Sequence, residues 1–266
     1  VIYTPKVGVS AEVKRMRDLQ YFDTKQTVHF SINQKDFRLD NPKVAVKVSI
    51  LQNYRWDNAI NNLKPQYITG VDLSYRYDKE SSFWGGNEYF NFDSKDIHTA
   101  TAGVYRLERA KLVNSFLFTN QSRATSVYTY FPDINGDFLI NTLNGQNASN
   151  EADYTWVHFS LEGKSSLWGK EVYVYGKFSN YELKDEYKLT YDEKDGIFKG
   201  KVLLKQGFYN YKFATKDKKS IDFNEIGGNF YQTENVYLIL VYYRAPGALY
   251  DEVVGIGSAS GANISM

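Results

Sequence analysis

Three histidines, His29, His98 and His158, are the first candidates for chemistry, and they stand singly. No His-x-x-x-His pair and no adjoining glutamate builds a metal ligand set around them. The absence of cysteine removes thiolate nucleophiles, disulfides and Cys-ligated zinc or iron–sulfur centres, without fixing a compartment. Asp133-Ile134-Asn135-Gly136-Asp137 places oxygen side chains on alternate positions, as calcium loops do. The twelve-residue pattern then meets Phe138 where glycine is needed and Asn144 where an acid is needed, so a polar turn is the better reading. A serine hydrolase would want Gly-x-Ser-x-Gly leading into a helix, and neither is present. Gly255-Ile256-Gly257 lacks a surrounding βαβ unit, Glu162-Gly163-Lys164-Ser165 lacks the upstream glycine of a P-loop, and no carboxylate pair stands out for glycoside cleavage. The expectation is a non-enzyme with no metal and no cofactor.

Binding chemistry is better represented. Aromatic residues make up 17% of the chain, led by Tyr 23 and Phe 17, and many sit beside turns. Examples are Tyr54-Arg55-Trp56-Asp57, Ser82-Phe83-Trp84-Gly85-Gly86-Asn87, Leu167-Trp168-Gly169 and Phe230-Tyr231-Gln232. Strand-borne Tyr and Phe belong in cores and cross-strand pairs. Loop-borne Trp and Arg supply contact area at small ordering cost, which makes Trp56 and Trp84 the candidate interface residues.

The elements that must carry these groups read as strands. Apolar alternation is clear in Thr27–Ile32, Lys43–Ile50 and Val71–Tyr77, and turn-rich pieces such as Asp40-Asn41-Pro42 and Gly85-Gly86-Asn87 separate such runs. Further strands are expected at Tyr154–Leu161, Glu171–Tyr175, Tyr187–Tyr191, Ile197–Leu204, Phe208–Phe213 and Val236–Tyr243. A hairpin is expected at Asp195-Gly196 and a single short helix at Glu12–Leu19. At 266 residues two domains are expected. The predicted fold is all-β, with tandem immunoglobulin-like β-sandwich domains. Residues 1–8 read as a remnant of a missing N-terminal domain, 9–145 as one sandwich, 146–251 as the second, and 252–266 as a flexible, small-residue tail. The boundary rests on the polar stretch Asn141–Asp153. Lys+Arg 32 against Asp+Glu 31 gives no basic surface for nucleic acid, and 42% hydrophobic content is too high for disorder. No apolar run approaches the roughly 18 residues of a membrane helix, and Val1–Pro5 lacks the features of a signal peptide.

Two resemblances sharpen this. Val172–Tyr181, Leu189, Asp195–Gly200 and Lys205–Phe213 resemble an early-set immunoglobulin-like module of glycogen-binding and glucan-branching proteins, although Tyr181 directly follows Asn180, so that module's glycan-stacking Trp is not matched. A wider set of motifs is similar to the Bacteroidota type IX secretion plug protein family. It comprises Val7–Arg15, Gln26–Phe30, Tyr54–Asn58, Gly85–Asp93, Asp133–Phe138, Gly228–Asn235 and Val241–Asp251. That resemblance implies an exported, periplasmic all-β protein, normally preceded by a further β domain and a signal peptide. It would close the periplasmic mouth of the outer-membrane translocon barrel when the barrel is idle, without inserting into the membrane. No catalytic residue carries over. Loops around Trp56, Trp84 and Arg244 are then expected to contact the barrel rim. The alternative is a periplasmic carbohydrate-binding module.

Overall fold

The computed structural model describes residues 5–143 and 145–264, with nothing stated for the side chain of Asn263. Nineteen strands form among them. The first seven are β1 (Gly8–Arg15), β2 (Lys25–Asn33), β3 (Val46–Gln52), β4 (Ile60–Leu63), β5 (Tyr67–Thr69), β6 (Asp72–Tyr75) and β7 (Ser82–Trp84). Ten follow: β8 (Phe90–Asp93), β9 (Val104–Glu108), β10 (Asn114–Leu117), β11 (Phe138–Ile140), β12 (Tyr154–Glu162), β13 (Glu171–Tyr175), β14 (Lys188–Asp192), β15 (Ile197–Lys205), β16 (Gly207–Lys216) and β17 (Ile221–Asp222). The last two are β18 (Val236–Tyr243) and β19 (Glu252–Ser260).

These strands build two units. Unit 1 comprises the described residues of Val1–Gly86 and Asn229–Met266, and unit 2 comprises those of Asn87–Gly228. Unit 1 holds two sheets, one ordered β1-β2-β6-β5 with β7 also on β2, the other β19-β18-β3-β4. Both contribute to one core: Val28, Phe30, Ile32, Leu73 and Tyr75 from the first, Val48, Ile50, Tyr237, Ile239 and Val241 from the second. In β18 the alternation is strict, so Tyr237, Ile239, Val241 and Tyr243 all point inward. Each such side chain contributes about 1.5–3 kcal/mol by leaving water.

Unit 2 is built on one ten-stranded sheet. Its path runs β16-β13-β14-β15-β12-β10-β9, while β16 also pairs with β8, β11 and β17. The Asp93 amide, at the end of β8, donates to the Ala102 carbonyl just before β9 (2.8 Å). That bond brings the two ends of the path together, so eight strands come close to a closed barrel. Its core is rich in rings: Tyr209 stacks on Phe92 (5.2 Å) and on Phe138 (5.3 Å), and Phe159 meets Tyr211 edge-on (5.1 Å).

The structure therefore supports a mostly β protein with three sheets in place of two tandem immunoglobulin-like sandwiches. Unit 2 is a single curved sheet, and it interrupts unit 1 in the chain. The polar stretch Asn141–Asp153 falls inside unit 2, so the units do not divide at residue 145. The reason is long-range pairing: Gln52 of β3 lies opposite Tyr237 of β18, a relation no local pattern reveals.

Two further expectations are corrected. Residues 252–260 are a strand paired with β18 along its length, not part of a flexible tail. Its glycines make room: a Cβ on Gly257 would lie 2.4 Å from Val9 Cγ1, and one on Gly255 would lie 2.7 Å from Val7 Cγ2. Smallness here serves close packing of β1 on β19. Glu12–Leu19 is not a helix; β1 continues to Arg15 in register with β2, with Val13 buried, and a turn follows. Residues 1–4, 144 and 265–266 of the expected segments lie outside the described residues.

No helix is long and apolar enough to cross a membrane among the described residues.

Candidate partner interface

At one end of unit 1, β1 finishes at Arg15, β2 begins at Lys25, β3 finishes at Gln52, β7 finishes at Trp84 and β18 begins at Val236. The loops of this end carry Tyr21, Phe22, Tyr54, Trp56, Trp84 and Tyr231. Tyr54 (65% exposed), Trp56 (59%) and Trp84 (46%) offer ring surface to solvent. Trp84 is braced by Tyr21 edge-on at 5.6 Å, and the Lys25 ammonium rests 4.5 Å from the Trp84 ring and 4.6 Å from Tyr21. Burial, then the nearby Lys79 charge, holds the Lys25 pKa below its usual value. The Arg15 guanidinium lies over Phe22 (3.2 Å) and Tyr231 (3.9 Å), donates from Nε to the Phe22 carbonyl (2.8 Å) and pairs with Asp23. These cation–ring contacts fix side chains that would otherwise be mobile.

Beneath the rings lies a buried polar network centred on Gln26. Its Nε2 donates to the carbonyls of Tyr231 (2.6 Å) and Thr233 (2.7 Å). Its Oε1 accepts from Tyr237 Oη (2.5 Å) and Asn235 Nδ2 (3.0 Å). Asn235 Nδ2 also donates to the Gly85 carbonyl (2.9 Å), and its Oδ1 accepts from Asn53 Nδ2 (2.8 Å). Gln52 Nε2 reaches the Trp84 carbonyl (2.9 Å), while Asn58 Nδ2 reaches Gln52 Oε1 (3.0 Å). The loop bearing Trp56 and the strand end bearing Trp84 are thus tied to one another through amide side chains.

Trp56 and Trp84 therefore share one end of the unit, but Arg244 does not. It follows β18 at the Val46 end of β3, where it donates to Asp251 (2.8 Å), itself bonded to Lys47 (2.9 Å). Hydrogen bonds from Arg244 and Lys47 hold the Asp251 carboxyl below the usual range. With about 3.3 Å per residue along β18, roughly 20 Å separates the two ends. Sequence reasoning missed Tyr21 and the amide network; the polar loops beside the tryptophans were their only signal.

The other aromatic candidates differ. Trp168 is exposed beside a shallow groove of unit 2, whereas Tyr181 is half-buried and packs on Tyr175 (5.4 Å). Of the histidines, His29 is buried and His158 bonds Asn114 (2.8 Å) and stacks on Phe116 (4.1 Å). Desolvation first lowers the pKa of both. Among the described residues no group of three or more His, Cys, Asp or Glu could hold a metal ion.

The Asp133–Asp137 turn anchors a long loop in unit 2. Asp133 accepts from the Tyr89 amide (2.5 Å) and the Asn135 amide (2.6 Å), and it is hydrogen-bonded to the buried Glu88. Tyr128 Oη donates to Glu88 (2.5 Å) and the Arg123 guanidinium to the Glu88 carbonyl. Burial pushes the Asp133 carboxyl up, so the folded protein holds a proton that the unfolded chain releases at lower pH. The stabilisation from that proton is present below the ordinary carboxylate range and falls away as pH rises through the folded value. Asp133→Asn is expected to flatten the fall in urea-unfolding stability between about pH 4 and about pH 8 relative to wild type; identical slopes would contradict a raised Asp133 carboxyl.

In the solved structures, a hypothetical protein from Parabacteroides merdae ATCC 43184, whose crystal structure is at 2.30 Å resolution, matches with TM-score 0.88 and 33% identity. The match covers 96% of this chain and 65% of that one, so the chain spans about two thirds of that protein's length. No protein-family model and no curated protein matches the chain.

Proposed function

We propose that this protein is a periplasmic plug that occludes the periplasmic opening of the type IX outer-membrane translocon barrel when no substrate is passing. The role is gating by fit, with no catalysis. The observation that carries this reading is the convergence of plug-like motifs. Residues 26–30, 54–58, 85–86 and 229–235, distant in sequence, meet at the ring-bearing end of unit 1 and are joined there by the Gln26 network. Rings held by buried amides make a stiff contact surface, which suits a body that must seat in a pore rim and leave it again. The similar Parabacteroides protein comes from the bacterial group to which the resemblance points.

Because Arg244 lies at the far end of the unit, the aromatic end is assigned as the rim contact. Trp56→Ala with Trp84→Ala is expected to weaken co-purification with the translocon barrel by about 2–4 kcal/mol, roughly thirty-fold or more, with unfolding midpoints little changed. Arg244→Ala, which leaves that end intact, is expected to keep recovery near wild type. Undiminished recovery of a folded double variant would remove the tryptophans from the interface, and a translocon mouth occupied by another protein would remove the plug role.

A further inference from the structure

The barrel-like sheet of unit 2 stays open along one strand. Past the Asp93–Ala102 bond, β9 pairs with β10 through Arg106↔Phe116, Leu107↔Ser115 and Glu108↔Asn114. Its other side has no strand partner among the described residues. An edge of this kind presents backbone donors and acceptors ready to pair with another chain.

The side chains around it are not neutral guards. Tyr105 (62% exposed) and Phe118 (57%) meet edge-on at 5.5 Å and form an apolar corner where the edge begins. Arg106 follows on the strand, and Arg109 and Lys111 stand in the turn just past its end, all exposed. Glu108 is paired with Arg106, whereas Arg109 and Lys111 have no carboxylate partner among the described residues. The edge thus combines an apolar anchor with an excess of positive charge.

A groove of about 600 Å³ crosses the neighbouring outer face, lined in part by Phe116, His158, Ser160 and Lys199. Within it Arg106 covers one face of Phe116 at 4.1 Å and His158 stacks on it at 4.1 Å, which leaves Tyr105 as its exposed ring. The edge, with its backbone groups and cations, favours a polypeptide.

We propose that the free edge of β9 accepts an extended acidic segment of another polypeptide as an added strand, with an apolar side chain against Tyr105 and Phe118 and carboxylates facing Arg106, Arg109 and Lys111. Main-chain bonds supply the affinity and alternate side chains the selection, as in other strand-addition complexes. This surface is independent of the aromatic end of unit 1, so either assignment can fail without the other.

The test titrates the full chain with two labelled β-prone peptides of about ten residues, identical except for Glu or Lys at alternate positions. The Glu peptide is expected to bind at least about ten-fold more tightly, and Arg106→Glu with Arg109→Glu to reverse that order. Hydrogen exchange at Tyr105–Glu108 should slow when the Glu peptide is added. Equal binding of both peptides, binding of neither, protection confined to other strands, or tighter binding of an oligogalacturonate than of the Glu peptide would each overturn the proposal.

Discussion

Gln26→Leu is expected to lower the stability of unit 1 by about 4 kcal/mol, read as a fall in the urea midpoint with little change in the steepness of the transition. The two side chains are close in size, so the loss does not come from a cavity. It comes from four groups left without the amide: the Tyr231 and Thr233 carbonyls, Asn235 Nδ2 and Tyr237 Oη. Each buried polar group without a partner costs about 1–3 kcal/mol, and the sum is reduced by partial relaxation and by the second bonds that Asn235 and Tyr237 retain. Burial pushes the Tyr237 phenol far up, so it cannot escape by ionising. A loss under about 1 kcal/mol would show that the network does not organise this end.

Gly85→Ala is expected to cost at least as much, about 4 kcal/mol or more, or to prevent folding of unit 1. The new Cβ would lie 2.0 Å from the Phe230 carbonyl oxygen and 2.8 Å from its carbon, both main-chain atoms that cannot rotate away. The Gly85 amide donates to Thr24 (2.9 Å) and the Phe230 amide to Gly86 (2.8 Å), so separation would break bonds as well as contacts. Gly70→Ala is the control. Gly70 has φ +59 with nothing within 4 Å of the added atom, and only the left-handed backbone penalty of about 1–2 kcal/mol applies. Comparable losses for both variants would contradict the steric account.

Most strands were legible because alternation is a local property. Glu171–Tyr175 and Val236–Tyr243 were readable residue for residue as short runs rich in Val, Ile and Tyr; every second side chain points inward in the second, whereas Val172–Tyr175 are all buried in the first. β19 was hidden because Gly255, Gly257 and Gly261 resemble a loose tail until Val7 and Val9 are seen against two of them. The division into units was illegible for a different reason: the partner of β3 lies beyond the whole of unit 2. The grouping of the three candidate residues was half legible. Residue type pointed to Trp56 and Trp84, but only antiparallel register shows that Arg244 belongs at the opposite end. The burial of Glu88 and Asp133 together had no sequence signal beyond a turn motif, because it depends on a loop arriving from far along the chain.

The interruption of unit 1 by unit 2 also sets a timetable for synthesis. On the ribosome, every strand of unit 2 has been made by Gly228, and that barrel can mature while its neighbour still waits. Meanwhile β3 has emerged without β18, the strand that lies beside it in the finished sheet. A nascent chain paused at this stage displays Val48, Ile50 and their strand edge to any passing polypeptide. A premature stop after unit 2 would therefore release a sound second half attached to a sticky, unfinished first one.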